Sequence, residues 1–231
     1  MTFSIVARDA ATGRIGLAAA TSDFAVGARV LWGRARCGGV LTQHTTDPRL
    51  GLRGLELLAS GCDAEQTVAA LAASAVCAPA RQLAVVDANG RSATWAGAYV
   101  DPRQAYQRAF DGFAVVGNIL AEPEVGDAIA EGYRDHADVD FAARLLAALR
   151  AGLQAGGEQY PLVSAALKVY DVEDFAYVDL RVDSSSDPLT DLTELNTAFT
   201  PLRDGYVRRA LNPDVSYAKD YAPEAGAPEA G

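Results

Sequence analysis

Histidine is nearly missing from this chain: His44 and His136 are the only two in 231 residues. That scarcity excludes a histidine-rich metal centre and leaves a histidine-dependent triad few candidates. The three cysteines, Cys37, Cys62 and Cys77, are odd in number and form no C-x-x-C. Neither a disulfide framework nor a thiolate zinc site follows from them, and they read as reduced, mostly buried thiols. No metal or other cofactor is expected. There is no Lys/Arg-rich run, and 30 acidic residues against 20 basic ones leave a formal net charge of −10. A nucleic-acid backbone or an anionic membrane is a poor partner for such a surface; a small or neutral ligand fits better. The N-terminus lacks a basic region followed by an apolar run, and no stretch of about 18 apolar residues occurs, so a cytoplasmic protein is expected.

Half of the residues are hydrophobic, enough to bury one substantial core of two or more layers. A single domain over 1–211 is expected. Residues 212–231 repeat Ala-Pro-Glu-Ala-Gly from Ala222 and from Ala227, lack a core-forming pattern, and are expected to be a disordered tail.

Phe3, Ile5 and Ala7 alternate with Thr2, Ser4 and Arg8, which predicts a strand with one buried face. Asp9-Ala10-Ala11-Thr12-Gly13 turns it into a second strand over 14–21. If Asp9 faces Arg14, paired positions sum to 23 and Thr2 lies opposite Thr21, with Ser22 and Asp23 just beyond. A third strand over 39–45 carries Thr42, Gln43 and His44. Asp47-Pro48 starts a helix ending near Gly61, and Asp63 with Gln66 forms a capping-box start for another, to about Ala75. Strands over 82–87 and 92–97 flank Asn89-Gly90; 112–120 reads as a strand interrupted at Gly117-Asn118. Helices follow from Pro123 to about Tyr133 and over 141–153. A strand pair over 164–170 and 177–182 precedes helices from Asp187-Pro188 and over 201–211. Antiparallel sheets with helices grouped between and after them predict an α+β fold, the four-layer αββα sandwich, with a single-sheet α+β fold as runner-up.

The position of Thr2 gives the chain its chemistry. Excision of Met1, usual before so small a residue, leaves one residue with both a hydroxyl nucleophile and a free α-amine. With reference pKa values of about 7.8 and 10.4, roughly one α-amine in seven is unprotonated at neutral pH, against well under one lysine in a thousand. Thr2 is therefore the candidate nucleophile, its alternative being an inert strand start. Asn118 is the candidate oxyanion donor, its alternative an asparagine closing a turn. Ser4 and Thr21 are placed to orient the amine, or are sheet hydroxyls. Asp23 can hold the terminal ammonium or stand solvated in a loop, and too close a pairing would raise the amine's pKa. Gln43 and His44 line the expected pocket, with a structural histidine as the alternative. Arg181, between Asp179 and Asp183, reads as an ion-pair hub, and Cys37 has no base beside it.

Seven collinear segments over about the first 190 residues resemble a bacterial family, domain of unknown function 1028. They are Thr2-Phe3-Ser4-Ile5-Val6-Ala7-Arg8-Asp9, Phe24-Ala25-Val26-Gly27-Ala28, Thr42-Gln43, Gly51-Leu52-Arg53-Gly54-Leu55, Gln82-Leu83-Ala84-Val85-Val86-Asp87, Gly117-Asn118-Ile119-Leu120 and Asp179-Leu180-Arg181-Val182-Asp183. The resemblance places the chain in the N-terminal-nucleophile (Ntn) hydrolase superfamily and implies the αββα fold. By superfamily analogy it implies hydrolysis of an amide or related C–N bond in a small molecule or short peptide. A homo-oligomer is expected. A catalytically inactive ligand-binding protein on the same fold is the rival reading, and an oligomeric scaffold acting through the C-terminal helices and tail is a third.

Overall fold

The computed structural model describes residues 1–213. The tail expected from 212 therefore lies almost wholly outside the described residues. Among the described residues ten strands form two antiparallel sheets, and six α-helices accompany them. The six-stranded sheet has the order β10 (Val178–Val182), β9 (Ser164–Tyr170), β2 (Ile15–Thr21), β1 (Thr2–Arg8), β8 (Phe113–Asn118), β7 (Ala105–Phe110). The four-stranded sheet has the order β3 (Leu31–Arg34), β4 (Gly38–His44), β5 (Arg81–Asp87), β6 (Ser92–Ala96). Two sheets overturn the single-sheet runner-up.

The β1–β2 register runs Phe3↔Ala20 to Arg8↔Ile15, every pair summing to 23 as the turn predicts. Gly13 makes this possible with a φ of +78°, and Gly90 repeats the device at +84° in the β5–β6 turn. Both helix starts read from Asp47 and Asp63 hold. Asp47 caps α1 (Pro48–Ala59), and Asp63 with Gln66 forms a full capping box on α2 (Ala64–Ser74). The remaining helices are α3 (Val125–Asp135), α4 (Phe141–Gln154), α5 (Pro188–Phe199) and α6 (Arg203–Leu211).

Three expectations need correction. β1 has two buried faces instead of one: Phe3, Ile5 and Ala7 pack with α3 and α4, while Val6 packs toward the second sheet. Gly117 and Asn118 do not interrupt a strand; they are its last two residues. The thiols are less buried than expected, Cys77 being exposed and the other two intermediate. β3 and β7 escaped the pattern. β3 is four residues with a central glycine, and β7 is an edge strand whose Gln107, Arg108 and Ala109 are all exposed, so neither alternates cleanly.

Three apolar clusters order the elements. One joins the six-stranded sheet to α3, α4 and α5, and another joins the four-stranded sheet to α1 and α2. The third lies between the sheets and includes Val6, Leu17, Leu41, Val86, Ala114 and Val116. Gly33 and Gly39, paired across β3 and β4, permit the close approach of the sheets: a Cβ on Gly39 would sit 2.7 Å from Val6 Cγ2. No described helix is long and apolar enough to cross a membrane.

Candidate active site

At one end of the space between the sheets, buried polar side chains replace apolar ones. Thr2, Ser4, Thr21, Gln43, Gln82, Asn118 and Ser164 all lie there, with Ser4, Gln43, Gln82 and Ser164 fully shielded from solvent. Strand pairing brings them together: Thr2 lies opposite Asn118, Gln43 opposite Gln82, and Thr21 opposite Ser164.

Gln82 is the hub of this cluster, and sequence reading missed it. Its Oε1 accepts from Gln43 Nε2 and Asn118 Nδ2, both at 2.9 Å. Its Nε2 donates to Gly117 O at 2.9 Å and to Tyr106 O at 3.1 Å. Gln43 Oε1 accepts from Ser4 Oγ at 2.5 Å, and Gln43 Nε2 also donates to Thr2 O at 3.4 Å. The only signal for Gln82 in the sequence was an amide directly before the apolar run Leu83 to Val86. Asn118 is thus tied into a buried amide chain. It is 1% exposed, and its Oδ1 has no hydrogen-bond partner among the described residues.

Thr2 stands where this network meets the terminus. Its hydroxyl donates to Met1 O and lies 3.4 Å from Thr21 Oγ1, which donates to Met1 O as well. A cavity of about 200 Å³ opens here, lined by Met1, Thr2, Thr21, Asp23, Val26, Arg29, Val30, His44 and Thr46. Of the residues read from the sequence, Thr2, Thr21, Asp23 and His44 line it, whereas Ser4, Gln43 and Asn118 stand behind it in the amide chain. His44, at a φ of +68°, ends β4, and its Nδ1 lies 3.0 Å from Ala80 O. That carbonyl can only accept, so Nδ1 is the donor in this contact.

Asp23 is exposed, and its carboxylate lies 3.9 Å from the Arg29 guanidinium. The carboxylate that sequence reading overlooked is Glu158. It is 7% exposed, and its Oε2 accepts from Ser22 N at 3.0 Å, while Oε1 is buried without a partner among the described residues. Burial pushes its carboxyl up to about 7; hydrogen bonding from Ser22 and the charge of the terminal ammonium pull it down, and Asp23 adds to the rise. A glutamate in the Gly156-Gly157-Glu158 stretch after α4 carries no pattern that points to a site. A one-residue bridge from Leu120 to Glu158 places it.

Arg181 does not gather both of its neighbours: it pairs with Asp183 at 3.0 Å, and Asp179 pairs instead with Lys168 at 3.5 Å. Larger hollows exist elsewhere. One of about 400 Å³ is lined by Phe175, Tyr177 and Val207, and one of about 500 Å³ by Arg36, Cys37, Cys62 and Asp87. In the second, burial pushes the Cys37 thiol up, away from the reactive thiolate. Among the described residues no group of three or more His, Cys, Asp or Glu is placed to hold a metal ion.

The model of a family of unknown function (DUF1028) matches residues 2–192. The chain belongs to this family. The matched span takes in every element from β1 into α5, and with them the whole polar cluster. The crystal structure of protein SPO2555 from Silicibacter pomeroyi, of the same family, is 33% identical and superposes with a TM-score of 0.78 over 86% of this chain and 89% of that one. No curated protein matches the chain.

Proposed function

We propose that this DUF1028 protein is an Ntn-type amidohydrolase that cleaves an amide bond of a small molecule or short peptide in the cytoplasm, with Thr2 as nucleophile after removal of Met1. The observation that carries the reading is the placement of the Thr2 hydroxyl: it starts a central strand, stands against Thr21, and lines a cavity whose wall Met1 shares. The order of the apolar clusters, with helices outside each sheet and a core between the sheets, supports the αββα architecture.

In this mechanism the Thr2 oxygen attacks the amide carbonyl carbon and its proton passes to the Thr2 amine. Collapse of the tetrahedral intermediate breaks the C–N bond, and the amine gives its proton to the leaving nitrogen. The resulting ester on Thr2 is then hydrolysed by water, which restores the hydroxyl and releases the acid. Thr21 and the Gln43–Gln82–Asn118 chain fix the geometry, and Asn118, paired with Thr2 across β1 and β8 but set behind the cavity wall, has to turn its remaining amide hydrogen forward to meet developing negative charge.

Intact mass of the purified protein tests the first requirement, loss of Met1. A panel of small amides assayed against wild type and Thr2→Ala tests the second: full turnover by Thr2→Ala overturns the reading. The second reading, a ligand-binding protein without turnover, draws on one observation, that Asn118 is nearly fully buried and already bonded to Gln82. It predicts binding without product.

A further inference from the structure

Met1 fills its place in a way that reads as a chemical imprint. Its carbonyl oxygen accepts from two hydroxyls, those of Thr2 and Thr21. Its Sδ lies 3.5 Å from Ser22 Oγ, and Ser22 N donates to Glu158 Oε2 at 3.0 Å. The second Glu158 oxygen, Oε1, is buried and unpartnered among the described residues. A buried carboxyl oxygen without a partner is costly, so a donor at that place would be held firmly. The charge already acting there from the chain itself is the terminal ammonium. One amino acid residue is thus held by its carbonyl and met at its side chain, with its ammonium in the field of the Glu158 carboxyl.

We propose that, once Met1 is gone, this place is a subsite for the acyl half of an α-aminoacyl compound, with Glu158 as the residue that selects a free ammonium group. The proposal deepens the reading of Thr2 as nucleophile, because a Met1-like acyl group would present its carbonyl beside the Thr2 hydroxyl. Glu158 does not touch the reacting atoms and is a specificity residue. The charged groups around it are the terminal ammonium, which Met1 excision moves to Thr2, and Asp23, whose carboxylate is turned toward Arg29. Neither removes the need of Oε1 for a donor.

The test uses the full chain beginning at Thr2, released from an N-terminal ubiquitin fusion so that it does not depend on trimming in the host. The dissociation constants of L-methioninamide and N-acetyl-L-methioninamide, read by calorimetry and thermal shift, differ only through the amine. The free amine is expected to bind at least tenfold more tightly, and Glu158→Gln to shrink that ratio to about twofold. Equal binding of the two probes, binding of neither, or an undiminished ratio in Glu158→Gln overturns the proposal. If Glu158→Gln does not fold, the two probes on wild type decide alone. Ammonia release is read in parallel. Amine-selective binding without release sinks the hydrolase reading and leaves the subsite standing, and release without amine selectivity does the reverse.

Discussion

The space between the two sheets is apolar at one end and polar at the other, although the same strands build both. On β1 the inward face runs from Val6 through Ser4 to Thr2; on β8 it runs from Ala114 and Val116 to Asn118. On β2 it passes from Leu17 and Ala19 to Thr21, on β4 from Leu41 to Gln43, and on β5 from Val86 and Ala84 to Gln82. Each strand changes character within one step of its period of two, and all change at the same end. The apolar end can be held by any well-packed set of side chains of the right volume. The polar end tolerates burial only because its amides bond to one another in a fixed order. One end holds the sheets together, and the other holds the candidate site in place.

Four changes would break or sharpen that contrast. The largest concerns activity: Thr2→Ala, with Met1 still removed, is expected to lower turnover of a small amide about a thousandfold or more while leaving the melting temperature nearly unchanged. At the apolar end Leu41→Ala is expected to cost about 2–5 kcal/mol in urea unfolding, because it opens a cavity in a fully buried cluster. At the polar end Gln82→Ala should cost about 1–3 kcal/mol by stranding the Gln43 and Asn118 donors. If Gln82→Ala proved neutral, the amide chain would not be the scaffold described here.

The most gradual effect is a slope with pH. Glu158 binds its proton more tightly folded than unfolded, so the folded state holds more protons between about pH 4.5 and 7. Stability therefore falls as pH rises through that window, by on the order of 1 kcal/mol per pH unit, and levels off above it. Glu158→Gln should flatten this slope in urea titrations at pH 5, 6 and 7.

The parts of this arrangement that were legible in the sequence are those set by neighbours in the chain. The β1–β2 register followed from one turn, and it placed Thr21 against Thr2 before any fold was known. The capped starts of α1 and α2 followed from Asp47-Pro48 and from Asp63 with Gln66. Gln82 and Glu158 were not legible, because what makes them part of the site is pairing across long separations. Gln82 meets Asn118, 36 residues on, and Glu158 meets Ser22, 136 residues back. Edge strand β7 was lost for another reason: with one face in solvent and little packed on the other, it has no hydrophobic period to read.

The central seat of β1 sets a timetable for the terminus. Its left and right neighbours are β2, which follows at once, and β8, which begins only at Phe113. Thr2 is 6% exposed once both are in place, and the Met1 carbonyl is then gripped by two hydroxyls. An aminopeptidase needs an extended, accessible end, so the proposed removal of Met1 belongs to the interval before residue 118 is made, roughly 6–24 s at ordinary rates of synthesis. On the proposed mechanism, a molecule that misses that interval folds with its first residue still in the wall of its own cavity.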